Sequence, residues 1–293
     1  MQPSSVILSG TEVHPVTSAV TGESFELWIG RPLKGWASGP GDRPRLLYLL
    51  DANLFFGMAV EMTRLMHVLF GELPPVLVVG IAYPDVDAAT QSRLRTGHFT
   101  PSADPTFAEA ARAFAPPGTS PPPAPPMGGA DDFLEFLTGQ VDPWVREHFE
   151  VASRGSTLFG TSLGGLFGVH TLLTRPDWVD NIIAGSPSLW WNDDEIIGRI
   201  EGLEPRADGT PSGPKVFIPV GSGEEGPHVP SLSRYRLVTN ARRLARCLAE
   251  GRVPCRSSSL EVIDGESHTS VVPSALTRGL RLLLREDQGS GRR

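Results

Sequence analysis

The ten residues Ser156-Thr157-Leu158-Phe159-Gly160-Thr161-Ser162-Leu163-Gly164-Gly165 constrain this chain more than any other stretch. Leu158-Phe159 reads as a buried strand running into Gly-x-Ser-x-Gly, after which Leu166, Val169, His170, Leu172 and Leu173 follow helical spacing. A turn this tight forces its middle residue into a strained backbone conformation and leaves no room for flanking side chains. That accounts for Gly160 and Gly164 on either side of Ser162. The turn lifts the Ser162 hydroxyl above a sheet edge. It also sets the N–H of Leu163 at a helix N-terminus, where an unpaired donor and the helix dipole favour developing negative charge.

The flanking pattern predicts the sheet such a turn needs. Residues 5–13 and 23–32 alternate in polarity around Thr21-Gly22-Glu23, as an initial antiparallel pair does. Residues 45–51 and 76–82 are nearly continuous apolar runs, expected of strands covered on both faces, with a helix over Gly57–Leu73 between them. Phe133–Phe149 reads as a helix. Apolar runs at 181–185, 215–220 and 259–263 then alternate with helical segments at about 194–203, 233–250 and 270–284. Strands alternating with helices imply right-handed crossovers: an α/β class with a mostly parallel central sheet and helices on both faces.

Residues 1–293 are expected to form a single domain, with two exceptions to regular structure. The segment 100–129 carries nine prolines followed by Gly128-Gly129 and reads as an exposed insertion, a possible lid or a plain surface loop. Residues 286–293 read as a flexible tail. A net charge of −7, with arginines scattered rather than striped, argues against a nucleic-acid partner and leaves small molecules. The N-terminal residues lack a signal-peptide pattern and no stretch approaches a membrane span, so the expectation is a soluble cytoplasmic protein without a membrane partner. Cys247 and Cys255 have no metal-ligand spacing and read as ordinary thiols, although spacing alone leaves a bridge between them open. Oligomeric state is not readable.

A serine hydroxyl becomes a nucleophile only with a base in reach, itself oriented by a carboxylate. Where Gly-x-Ser-x-Gly opens a helix, the chain order is serine, acid, histidine. Of seven histidines, His228 and His268 follow a late strand, and His268 sits where the last strand gives way to a helix. The acid is expected after the penultimate strand. Glu224 is preferred there, with its neighbour Glu225 and then Asp264 as alternatives, because adjacent side chains cannot both face one imidazole. A second oxyanion donor is expected from the backbone of Asn53, beside that of Leu163, while Asp51 braces its loop. No metal motif and no Gly-rich phosphate loop is present, so neither a metal nor a cofactor is expected.

Together, Leu49-Leu50-Asp51, Gly160-Thr161-Ser162-Leu163-Gly164-Gly165, Ser186-Pro187-Ser188-Leu189-Trp190-Trp191-Asn192, Gly221-x-x-Glu224 and Gly265-Glu266-Ser267-His268 give the chain a resemblance. Over most of residues 45–285 it resembles the putative esterase family of α/β hydrolases, which includes enterochelin (siderophore) esterases and esterase D-like enzymes. The resemblance implies an α/β-hydrolase fold and a triad of Ser162, Glu224 and His268. One block departs from the family pattern. Arg95-Thr96-Gly97-His98-Phe99-Thr100-Pro101 places His98 where an acid is usual, so Arg95 keeps its position and loses its expected brace. Arg95 is a candidate clamp for an anionic substrate group. Trp190 and Trp191 are candidates for the pocket wall or the core.

These residues predict ester hydrolysis of a small molecule through an acyl-enzyme, and the resemblance implies a siderophore ester as a candidate substrate. Acyl transfer through the same triad, and a catalytically silent binding protein on the same scaffold, are the alternatives.

Overall fold

The computed structural model describes residues 7–34, 42–107, 109, 124–206 and 212–284. Its eight strands are β1 (Thr11–Thr17), β2 (Ser24–Gly30), β3 (Arg45–Leu49), β4 (Val76–Ala82), β5 (Thr157–Thr161), β6 (Asn181–Gly185), β7 (Lys215–Gly221) and β8 (Ser257–Ile263). They form one sheet in the order β1-β2-β4-β3-β5-β6-β7-β8. β1 and β2 pair antiparallel, β2 meets β4 antiparallel, and every pair from β4 to β8 is parallel.

The helices are α1 (Ala52–Val68), α2 (Ala88–Phe99), α3 (Ala130–Phe136), α4 (Asp142–His148), α5 (Leu163–Thr174), α6 (Trp191–Glu201), α7 (Pro230–Ser233), α8 (Leu237–Ala249) and α9 (Val271–Leu284). They cover both faces, and the apolar run of β3 shows why. Leu46, Tyr48 and Leu50 join a core with Phe133, Leu166 and Leu244, whereas Leu47 and Leu49 join a second core with Ala59, Val60 and Leu276 from α1 and α9. A strand with period-two side chains and apolar residues at every position must be covered twice.

Several boundaries differ from those the sequence predicts. β1 begins at Thr11 rather than at residue 5, and it includes Pro15, which an edge strand tolerates because the missing donor faces no neighbour. Residues 1–6 lie outside the described residues. α1 starts five residues before Gly57, because Asp51 turns at φ 54° and the helix opens straight off β3; it stops short of Leu73 where Gly71 turns at φ 61°. The helix expected over 133–149 is two helices joined by a π turn at Leu137–Val141. Gln140 in that turn grips the β1–β2 hairpin, donating to Thr17 O and accepting from Ala19 N.

The proline-rich segment is only partly an exposed insertion. Thr100 and Asp104 are buried, and Asp104 caps a helical turn at Phe107. Residues 108 and 110–123, and the tail 286–293, lie outside the described residues. Cys247 and Cys255 are both free thiols. Among the described residues no helix is long and apolar enough to cross a membrane.

β3 has β4 on one side and β5 on the other, so the order of connection reverses there. The crevice outside the carboxyl ends of strands at such a point is where α/β sheets bind ligands. Asp51 and Ser162 both stand at those ends.

Candidate active site

Ser162 occupies the strained turn between β5 and α5, at φ 58° and ψ −118°. Its N–H donates to Gly185 O, and its carbonyl accepts from Leu166 N and Ser188 N. A Cβ on Gly160 would lie 2.3 Å from Gly164 O, and one on Gly165 would lie 2.7 Å from Gly185 O. The glycine requirement therefore falls on Gly160 and Gly165. Gly164 was expected to be sterically required, yet a Cβ there meets only ordinary contacts, at 3.6 Å from Asp51 Oδ2 and Leu50 Cδ1. Gly160→Ala is expected to displace the turn and abolish phosphonate labelling of Ser162, whereas Gly164→Ala retains labelling. Comparing the two labelling rates checks the assignment, and equal sensitivity would contradict it.

His268 lies in the turn before α9, and its Nδ1 donates to Glu224 Oε2 at 2.7 Å. That bond fixes the proton on Nδ1 and leaves Nε2 with a free lone pair, the form a general base requires. Glu224 closes a short 3₁₀ turn after β7 and is fully buried. Its Oε1 accepts from Ser186 Oγ at 2.6 Å and from Gly221 N at 2.7 Å. Three donors thus converge on one buried carboxylate, which is how a buried charge is retained. The acid and histidine loops are joined by Gly223 N donating to Glu266 O.

The two alternatives for the acid face elsewhere. Glu225 accepts from the N–H and the hydroxyl of Thr239 in the first turn of α8, and Asp264 accepts from Ser222 Oγ. His228 is exposed on the loop after Glu225.

The hydroxyl of Ser162 shares a hydrogen bond with Ser188 Oγ at 3.2 Å rather than with His268. Neither Ser186 nor Ser188 was singled out from the sequence as a site residue. The signal was present, because two hydroxyls flank a proline immediately after a buried parallel strand.

The starts of α1 and α5 meet at this point, since Gly164 sits against Leu50 and Asp51. The first N–H groups of a helix have no carbonyl partner within it, which makes Leu163 N and Asn53 N donors at the sheet edge. The Asn53 side chain clamps the backbone of Tyr83, accepting from its N–H and donating to its carbonyl, both at 2.9 Å.

Arg95 does not lack a brace. Its Nε and Nη2 donate to Asp51 Oδ1 and Oδ2 at 2.7 and 2.8 Å, a bidentate pair within the crevice. Burial opposes the charge on Arg95, and the adjacent Asp51 more than offsets it, holding the guanidinium above its ordinary range. His98 turns the other way. It stacks between Tyr83 and Phe133, with Nδ1 bonded to Tyr83 Oη and Nε2 to Glu23. The geometry favours a brace for the β3–α1 turn over the clamp expected of Arg95, because its Nε and Nη2 are committed to Asp51. Arg95→Ala leaves the Asp51 carboxylate buried and unpaired, a loss of about 3–5 kcal/mol. Urea unfolding is expected to register that loss, with anionic and neutral esters losing efficiency alike; a selective loss on the anionic ester would restore the clamp.

The two tryptophans also separate. Trp191 is buried and donates its indole N–H to Ser102 O, so it belongs to the core and not to a pocket wall. Trp190 is half-buried against the Tyr235 ring, with centroids 4.3 Å apart. Behind it, Asn192, Asp193 and Asp194 all have positive φ, a left-handed run held through Asp194 by Arg236, Asn240 and Arg243. Among the described residues, no His, Cys, Asp and Glu cluster has metal-binding geometry.

Residues 34–251 match the model of the family described as Putative esterase. The chain belongs to this esterase family. It is 31% identical to the ferri-bacillibactin esterase BesA of Bacillus subtilis over 96% of this chain and 91% of that relative. It is 32% identical to a siderophore enterobactin esterase of Emericella nidulans over 88% of this chain and 89% of that one. The crystal structure of a BES protein from Bacillus cereus superposes with a TM-score of 0.78 at 28% identity, covering 98% of this chain and 99% of that chain. This esterase accordingly has the α/β-hydrolase-type fold expected from its sequence, and it is an ester hydrolase.

Proposed function

We propose that this esterase hydrolyses the ester linkages of a siderophore through a triad of Ser162, His268 and Glu224. The observation that carries the triad is the Nδ1 bond from His268 to the buried Glu224, on the same sheet edge as the strained serine. Ser162 Oγ leaves Ser188, turns to His268 Nε2 and attacks the ester carbonyl as the imidazole takes its proton. Catalytic hydrogen bonds often tighten only when substrate is seated. The N–H groups of Leu163 and Asn53 stabilise the oxyanion, and the imidazolium returns its proton to the leaving alcohol. Water, activated by the same imidazole, then releases the acyl group.

The substrate class rests on the relatives, which are named for bacillibactin and enterobactin. It is supported by the aromatic surface of Trp190 and Tyr235 and by Arg234, whose guanidinium lies 4.7 Å over the Tyr235 ring. Aromatic faces and a cation suit an aromatic, anionic substituent on the substrate.

The test compares a catecholate trilactone with p-nitrophenyl esters of increasing chain length, with products followed by mass spectrometry. Expected is preferential opening of the trilactone to its linear acid, with no transfer to an added alcohol. Turnover confined to simple aryl esters would overturn the substrate assignment, and an ester product with the added alcohol would overturn hydrolysis.

A further inference from the structure

The turn Ser186-Pro187-Ser188 after β6 touches the acid, the nucleophile and the helix behind the nucleophile at once. Ser186 Oγ donates to Glu224 Oε1 at 2.6 Å. Pro187 lies so close to α5 that a Cβ on Gly165 would come within 2.9 Å of its Cα. Ser188 donates its N–H to the Ser162 carbonyl and shares a hydroxyl contact with Ser162 Oγ. The first residue of the turn is itself strained, at φ 40°, and its N–H is tied to Pro219 O on β7. Strain of this kind persists only where the surroundings hold it. Here it aims a buried hydroxyl at the carboxylate oxygen that His268 does not use.

We propose that Ser186 is a positioning residue, holding Glu224 so that Oε2 meets His268 Nδ1 in line with Ser162. The proposal rests on the reading of Glu224 as the triad acid. Because the same turn carries Ser188, the acid and the nucleophile are fixed to one short rigid segment rather than to two independent loops. Ser186 touches no reacting atom and acts only through Glu224.

Five proteins test this on a neutral activated aryl ester: wild type, Ser186→Ala, Ser186→Gly, Glu224→Gln and the Ser186→Ala, Glu224→Gln double variant. Loss of one hydrogen bond to a buried charge predicts a kcat about 10-fold lower for Ser186→Ala, with KM within about twofold of wild type. Ser186→Gly removes the hydroxyl without the steric cost of positive φ and is expected to match Ser186→Ala, which separates loss of the contact from backbone strain. In the Glu224→Gln background, Ser186→Ala is expected to cost less than about twofold, because residues acting as a unit are not additive. An equal loss in both backgrounds, or no loss in either, overturns the proposal while the triad stands. A Glu224→Gln variant with wild-type kcat overturns the triad reading itself.

Discussion

Ser162→Ala is expected to lower turnover of an activated aryl ester by about 10⁴-fold or more while leaving the protein folded. Alanine keeps the Cβ already accommodated at φ 58°, so the backbone strain of the turn is unchanged and only the hydroxyl is lost. Its single hydrogen bond, to Ser188, is between neutral groups and contributes about 1 kcal/mol to stability. Turnover and stability should therefore separate cleanly. Steady-state kinetics beside a urea melt measures both, and a fluorophosphonate should add its phosphonyl group, with loss of HF, to the wild type but not to the variant. Residual turnover within tenfold of wild type would sink the covalent mechanism.

Glu224→Gln should cost about 10³- to 10⁴-fold in kcat, with KM little changed. The amide oxygen can still accept from Ser186 and Gly221, which directs the amide NH₂ at His268 Nδ1. The imidazole must then accept at Nδ1 and carry its proton on Nε2, where it cannot take one from Ser162. Glu225→Gln should leave kcat within about threefold. It weakens the anionic cap on α8 instead, at about 0.5–1 kcal/mol of stability. The reverse ranking in kcat would identify Glu225 as the acid.

The sequence made the parallel core and the carboxyl-edge location legible because each rests on local pattern. β5, the turn at Ser162 and α5 are consecutive, and the long apolar runs of β3 and β4 have one reading in a sheet covered twice. Contacts between distant segments were less accessible. Arg95 and Asp51 are 44 residues apart, so nothing near Arg95 announces its partner. The family pattern places the brace of Arg95 within the block that holds His98, whereas here the brace is Asp51. Trp190 and Trp191 are neighbours of one composition, and the difference between them arises where Ser102, far away in sequence, accepts the indole proton of Trp191. The left-handed run at Asn192–Asp194 has no glycine to mark it and depends on basic residues of α8 and the residue before it.

Glu224 and Glu225 are chemically alike, yet one is committed to His268 and the other to the first turn of α8. The two commitments point away from each other, and the backbone between them provides no slack. Deleting one residue between Gly221 and Glu224 would bring Glu225 beneath the imidazole and leave Gly226 where the helix cap stood. The length of this turn is accordingly set by two partners at once. Side chains cannot replace its glycines either, because a Cβ on Gly221 or Gly223 would lie 2.3 or 2.9 Å from Glu266 O, and a single-codon deletion there breaks the acid contact and the helix cap together.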